Sequence, residues 1–429
     1  LVKGLRKDKD NPINSQALIE CFNGKPAERG IVPFEPLSPI SELSIDWPFP
    51  QLFIGPYARL LATRDKLYSL DANWNVTLEA DEITPGSVFD MADFGSYVLL
   101  ANDSGMIERD VASGIYTSFG VWVDHPMVST ICNFKGQAVG GNVRTSWHGC
   151  GYNSVVWSDI GSLNFVPDRR NEAGFRPMPW QGCVLRVMRL EDVVMVYGDN
   201  GIASLVPTST ASLGKYPATF GLKEIMNVGI SHKGAVGGDE HVHVFVDKKG
   251  WLWKAHSGKL ERLGYQEYMK QMTLNQIMVS HDPSEKEFFI SDGVKGFLLT
   301  DHGLCEVHQL VTSASSLDGV SIGVYEDSGD LEFRATTDAI DYGLRAFKTI
   351  AALELQADYA GVDWKVDGSF KSNPWVRVND AGVATVQTTA IEFRLRAKSS
   401  SYVNANLDYI KSRLKLVDKR AIRGVYAIE

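Results

Sequence analysis

The sequence predicts an all-β chain: an irregular β-propeller of five or six blades over residues 55–335, an extended N-terminal arm over 1–54 and a C-terminal β-sandwich over 341–429. Three observations predict it. Short runs rich in Val, Ile, Phe, Tyr and Trp dominate from about Leu60 onward, and long helical periodicity is nearly absent. Turns built from Asp, Asn and Gly recur at blade-like intervals. The two ends differ in texture from this middle, the first by its prolines and the last by a strict apolar/charged alternation.

The arm carries Pro12, Pro26, Pro33, Pro36, Pro39, Pro48 and Pro50 with few strand runs, so it is expected to lie along a neighbour without a core of its own. In the middle, the turns are Asn102-Asp103-Ser104-Gly105, Ser158-Asp159-Ile160-Gly161, Gly198-Asp199-Asn200-Gly201, Asp247-Lys248-Lys249-Gly250 and Asp301-His302-Gly303. Their last glycines stand 56, 40, 49 and 53 residues apart. A four-stranded propeller blade repeats at roughly 40–50 residues. Asp or Asn followed by Gly suits a tight hairpin because these residues tolerate positive φ. Leu67-Tyr68-Ser69-Leu70 with Asp71-Ala72-Asn73 fits the same scheme one unit earlier. The imperfect period leaves a pair of irregular β-sandwiches as the competing arrangement. Toward the C-terminus, residues 391–398 place Ile, Phe, Leu and Ala on one face and charged residues on the other, which reads as a half-buried antiparallel strand. Val376-Arg377-Val378 leads into a hairpin turn at Asn379-Asp380-Ala381-Gly382, and residues 410–416 repeat the apolar/basic alternation.

Composition bounds the function. Of 429 residues 44% are hydrophobic and 22% charged, which excludes wholesale disorder. No apolar run approaches the ~18–20 residues that span a bilayer, and the first ten residues lack the apolar centre of a secretory signal, so neither a span nor an export address is expected in this stretch. Cys21, Cys132, Cys150, Cys183 and Cys305 are odd in number and show no C-x-x-C spacing, which points to reduced, mostly buried thiols. A net charge of -9 argues against gripping nucleic acid over the whole surface. Residues 394–423, however, hold nine basic side chains against two acidic ones, a local +7 that leaves -16 on the rest.

Few residues suggest chemistry. His241 and His243 could share a strand face beside Asp239 and Glu240, a permissive pattern for a metal. His148-Gly149-Cys150 could pair a thiol with a base, and Arg169, Arg170, Arg176, Arg186 and Arg189 could bind an anion, but pocket histidines, a buried thiol and internal salt bridges are the plainer readings. No phosphate-binding glycine loop occurs. The chain is therefore expected to be no enzyme and to need no cofactor and no metal. Trp157, Ser158, Asp159 and Gly161 form a structural hairpin motif loosely similar to the Asp-box of sialidase-type propellers, with Phe165 one place late. Gly161 should have positive φ and Asp159 should accept backbone N–H bonds.

The longer string Asn153-Ser154-Val155-Val156-Trp157-Ser158-Asp159-Ile160-Gly161-Ser162-Leu163-Asn164-Phe165 resembles a recurrent segment of tailed-bacteriophage virion proteins of the tail nozzle, tail hub and DNA-stabilisation (head-to-tail connector) type. The Asn-Pro-Ile-Asn stretch at residues 11–14, the irregular blades and the closing basic segment from Arg413 to Arg420 are similar too. The resemblance implies a structural virion protein forming a ring with itself, a hexamer, below the portal or adaptor ring among other tail proteins. Genomic DNA would be retained in and conducted through its lumen during ejection, without sequence-specific binding. It also implies a place in the virion tail or neck after assembly in the host cytoplasm. Arg394, Arg396 and Lys398 share one strand face and Lys411, Arg413 and Lys415 another, a candidate subunit-interface basic face that would meet the acidic body of a neighbour. These side chains should point away from the core, so reversing Arg394, Arg396 and Arg413 to Glu should leave folding intact. Two alternatives remain: a glycan-binding or glycan-cleaving propeller, and a cellular interaction platform.

Overall fold

The structure, a computed structural model, describes residues 4–8, 15, 17–28, 30–43, 45, 47, 49–81, 83, 88–119, 125–144, 147–208, 220–256, 259–327, 329, 331–356, 362–369, 372–399 and 409–416. Contacts divide the chain into two units, one of residues 37–293 with 311–325, the other of residues 1–36, 294–310 and 326–429.

The first unit contains five four-stranded antiparallel sheets, each a meander in chain order. Their first strands are Gln51–Ile54, Asp90–Asp93, Val128–Phe134, Val184–Leu190 and Val236–Gly238. Their last strands are Val76–Ala80, Tyr116–Phe119, Gly174–Pro177, Phe220–Met226 and Lys259–Gly264. All five first strands, or the residues that directly follow them, border one cavity, so the sheets radiate from it as blades. The fold is propeller-like. A further antiparallel pair, Met278–Asp282 with Glu287–Ser291, belongs to the same unit.

The sequence of each strand follows its distance from the cavity. Second strands such as Tyr97–Asn102, Val193–Gly198 and Val242–Val246 are buried almost throughout, because neighbouring blades cover both faces. Outer strands such as Val76–Ala80 and Lys259–Gly264 are mostly exposed or half-buried and correspondingly polar. Between the third and fourth blades, Phe220 packs edge-on to Trp157 at 5.0 Å and to Phe134 at 5.5 Å between ring centroids. The turn chemistry is explicit at Asp247. Its Oδ1 accepts the N–H groups of Lys249 (2.8 Å) and Trp251 (2.9 Å), its Oδ2 accepts the Trp253 indole N–H (2.9 Å), and Gly250 supplies φ +79°.

The second unit departs from the expected division of the chain. Residues 17–36, expected as part of an arm, include the strand Leu18–Phe22, antiparallel to Phe333–Thr337 and joined in parallel to Gly303–Val307 through Phe22 and Glu306. Leu18, Cys21 and Phe22 are buried there, and Pro26 and Pro33 end the short hairpin Gly24–Pro26/Ile31–Pro33, where a missing N–H costs little. The turn Asp301-His302-Gly303 likewise joins Gly296–Thr300 to Gly303–Val307 in this unit rather than in a blade. Phe393–Ser399 pairs with both Phe333–Thr337 and Asp363–Gly368, and buries Phe393, Leu395 and Ala397 while Arg394 is exposed. Another sheet has Lys348–Gln356 between Val383–Ala390 and Tyr409–Leu416. Residues 379–382 do form a turn, with Gly382 at φ +73°, but it passes the chain from Val376–Arg377 in one sheet to Val383–Ala390 in the other, so it closes no two-strand hairpin. Residues 11–14 and Lys419, Arg420 and Arg423 lie outside the described residues.

Candidate functional site

The cavity among the first strands of the blades has a volume of about 890 Å³. At its floor Asp90, only 3% exposed, organises a polar cluster that runs across successive blades. Arg186 Nε from the fourth blade lies 3.0 Å from Asp90 Oδ1, and Lys233 Nζ, from the turn leading into the fifth, lies 3.2 Å from Oδ2. Thr130 of the third blade donates its hydroxyl to Asp90 Oδ2, and its Oγ1 accepts the Val187 N–H of the fourth at 3.0 Å. Lys233 also donates to the carbonyls of Ala101 (3.1 Å) and Ser129 (2.6 Å), while Arg186 Nη1 donates to the Val236 carbonyl. One carboxylate thus ties together elements of four blades. Burial pulls the Lys233 pKa below the ordinary lysine value, with Asp90 opposing the shift.

The mouth of the cavity carries Asp93, Asp239, Glu240, Lys135 and Arg189. Its cations are engaged: Arg189 Nη1 meets Glu240 at 2.7 Å and Lys135 meets Asp192 at 2.6 Å. Asp239 Oδ1 accepts the N–H groups of His241 (2.8 Å) and Val242 (3.0 Å). His241 and His243 are not brought together. The His241 side chain is 74% exposed, whereas His243 is fully buried, with Nδ1 2.8 Å from the Tyr197 hydroxyl and Nε2 3.0 Å from the Arg189 carbonyl. Both His243 nitrogens are therefore spoken for, and burial pulls its pKa down to about 4. His232 is likewise pulled down to about 4 by burial. Among the described residues no group of three or more His, Cys, Asp and Glu side chains is placed to hold a metal.

Other sequence candidates resolve in the same direction. Burial pushes the Cys150 thiol up to about 11 and raises those of Cys21 and Cys132 further, so none is poised as a thiolate. Arg186 is spent on Asp90 in the floor cluster and Arg189 on Glu240 at the mouth, while Arg169 and Arg170 are exposed elsewhere. In the hairpin motif Gly161 has φ +69° and its N–H meets the Gly136 carbonyl at 2.9 Å. Asp159 Oδ1 accepts the Glu172 N–H at 3.0 Å, and Trp157 Nε1 donates to the Glu172 carbonyl at 2.9 Å. Ser158 Oγ accepts the Ala138 N–H at 2.9 Å, and Phe165 is fully buried. The motif opens the long connection from Ser154–Trp157 to Gly174–Pro177, the third and fourth strands of the third blade, so this turn does not close a tight hairpin between them.

On the second unit the basic face is partly neutralised from within. Arg396 Nε lies 2.9 Å from Asp367, Lys398 Nζ sits 4.7 Å from the Trp375 ring centre, and Arg413 and Lys411 both approach Glu354, the latter at 3.7 Å. Arg394 and Lys415 are exposed. Arg394, Arg396 and Arg413 do stand on the outward side of their strands, but reversing Arg396 or Arg413 would place two carboxylates side by side.

Of the floor cluster, sequence reasoning named only Arg186, with an internal salt bridge as its plainer role; Asp90, Thr130 and Lys233 escaped it. Asp90 and Lys233 are 143 positions apart, and no spacing links them. The available signal was a charged residue directly after the buried Phe89 in a short inner strand.

No family model matches the chain, and no curated sequence matches it. Among solved structures it is similar to BamB from Moraxella catarrhalis, with 10% identity, a TM-score of 0.35 and coverage of 69% of this chain and 95% of that one. It is also similar to human WBSCR16, with 9% identity, a TM-score of 0.40 and coverage of 68% and 91%. Among the described residues no helix is long and apolar enough to cross a membrane.

Proposed function

We propose that this chain is a non-enzymatic structural protein of a tailed-bacteriophage tail, a ring subunit of nozzle or hub type below the portal that retains and conducts the genome. The resemblance of residues 153–165 supplies the family. The observation that carries the structural role is the use made of buried ionisable groups: Asp90, Arg186, Lys233 and His243 are committed to joining blades. A scaffold needs such commitments, whereas general acid–base or nucleophilic catalysis needs a group held ready for substrate. In this reading the pair Met278–Asp282/Glu287–Ser291 is the stub of a sixth blade, and the two sheets of the second unit form a β-sandwich. Subunits meet through the basic face, and an acidic lumen lets DNA slide because it does not bind phosphate. Electron microscopy of the purified protein, alone and with its particle, tests the proposal. Rings of uniform subunit number are expected; a monodisperse monomer at every concentration and absence from particles would sink it.

A glycan-binding propeller has one observation in its favour. The cavity mouth combines Asp93, Asp239, Glu240 and Asn133 with the apolar Phe53 and Met188, a mixture that suits sugar hydroxyls and ring faces. Saturable oligosaccharide binding, lost in Asp93→Ala, would favour it.

A further inference from the structure

We infer that the cavity among the blades binds the C-terminal lysine of a peptide, its carboxylate at the floor and its ε-ammonium at the mouth. The five first strands that wall the cavity are described along their whole length. Arg186 is the donor at the floor. Its Nε lies 3.0 Å from Asp90 and its Nη1 donates to the Val236 carbonyl, whereas its Nη2 makes no hydrogen bond among the described residues. The side chain lines the cavity and keeps 17% exposure. Beside it Lys233 retains its charge: Asp90 and the carbonyls of Ala101 and Ser129 surround its nitrogen, and only an ammonium has an N–H for each of three acceptors. Asp103, which also acts on Lys233, is held by Arg144 at 3.2 Å. The floor thus sets two cations against the single carboxylate of Asp90, with one guanidinium nitrogen unspent. A ligand carboxylate completes it.

The mouth asks for the opposite charge. Asp239 forms no ion pair with a lysine or arginine among the described residues, because Arg189 meets Glu240 and Lys135 meets Asp192. Its Oδ1 holds the His241 and Val242 N–H groups, and its Oδ2 has only His281 Nδ1, which at 3.6 Å lies beyond hydrogen-bond reach. Burial pulls the His281 pKa down, so that ring brings no charge. A ligand ammonium answers Asp239. Floor and mouth are separated by the length of a strand, since the three residues from Asp90 to Asp93 rise about 10 Å. Ile131 and Met188 give the wall between them apolar surface, along which the methylenes of a lysine lie. Free lysine would set its α-ammonium beside Arg186 and Lys233, so the α-nitrogen is acylated, as at the end of a peptide. A volume of about 890 Å³ leaves room for the preceding residues. The site belongs to a single subunit and does not rest on the ring.

The test titrates the full chain by calorimetry with Nα-acetyl-lysine, which carries both charges, and with three relatives. Nα-acetyl-lysine amide lacks the carboxylate, Nα,Nε-diacetyl-lysine lacks the ammonium, and free lysine adds the α-ammonium. Saturable binding of Nα-acetyl-lysine is expected, with each relative weaker by about tenfold. Asp239→Asn keeps Oδ1 for its two N–H groups, so its circular dichroism spectrum should be unchanged. It should bind Nα-acetyl-lysine about tenfold more weakly than the parent does and the diacetyl analogue equally well. No saturable binding, a relative that binds as tightly as Nα-acetyl-lysine, or an Asp239→Asn protein that binds like the parent would each overturn the inference. Tighter binding of a neutral oligosaccharide, competing with Nα-acetyl-lysine, would overturn it too and give the cavity to sugars.

Discussion

Tyr197 donates its hydroxyl hydrogen to His243 Nδ1 across 2.8 Å, joining the second strands of the fourth and fifth blades inside a fully buried contact. The tautomer follows from the other ring nitrogen. His243 Nε2 is 3.0 Å from the Arg189 carbonyl, which only accepts, so Nε2 carries the proton and Nδ1 is the acceptor. A second proton would have to enter at Nδ1, at the cost of that bond and of a buried charge.

Stability should therefore fall as the solution is acidified. His243 and His232 are both depressed to about 4 in the fold against 6.5 unfolded, so between those values the unfolded chain binds more protons than the native one. Stability is full above about pH 6.5 and declines toward pH 4, by up to about 3 kcal/mol for each histidine. Denaturant melts of the parent and of His243→Gln across this window check it. The variant should start less stable and show a shallower pH slope; identical slopes would remove His243 from the account.

Asp90→Ala would leave Arg186 and Lys233 buried without their carboxylate. A loss of about 3–5 kcal/mol is expected, the usual cost of orphaning one side of a buried ion pair. Lys135→Ala, which removes one partner of the exposed Lys135–Asp192 pair, should be nearly silent. Chemical denaturation compares the two, and comparable losses would contradict the role assigned to the floor cluster.

Two glycines should respond differently. At Gly161 a Cβ meets nothing within 4 Å, so Gly161→Val should cost only backbone strain at φ +69°, about 1–3 kcal/mol. At Gly229 a Cβ would fall 2.0 Å from the Gly198 carbonyl oxygen, so Gly229→Ala forces backbone apart and should cost more than Gly161→Val. Melting temperatures of the two variants give the order directly.

Charge reversal of the basic face belongs at Arg394 and Lys415, which make no ion pair among the described residues. Arg394→Glu with Lys415→Glu should fold normally and assemble poorly, with the parent's assembly weakening in salt as the Debye length shrinks from ~10 Å at 0.1 M to ~3 Å at 1 M. Sedimentation of parent and variant reads this out. Normal assembly with loss of duplex DNA binding would reassign the face to DNA, and no change in either would leave it a solvated surface.

The strands, their turns and the inward faces were legible because each is a short-range pattern. Asp247 followed by Gly250 closes a hairpin within four residues, and Phe393, Leu395 and Ala397 alternate with Arg394, Arg396 and Lys398 whatever surrounds them. Tertiary structure alone decided which strands share a unit and which charges meet. Leu18–Phe22 joins strands some 300 residues away because its nearby partner, a single parallel bridge from Leu18 to Leu5, leaves most of its edges open, and sequence does not record which distant strands close them. Asp90, Thr130, Arg186 and Lys233 converge because consecutive blades present their first strands to one cavity. Local sequence sets the face on which each side chain stands; the closure of the blades supplies the low-dielectric interior in which a single carboxylate must be shared by several partners.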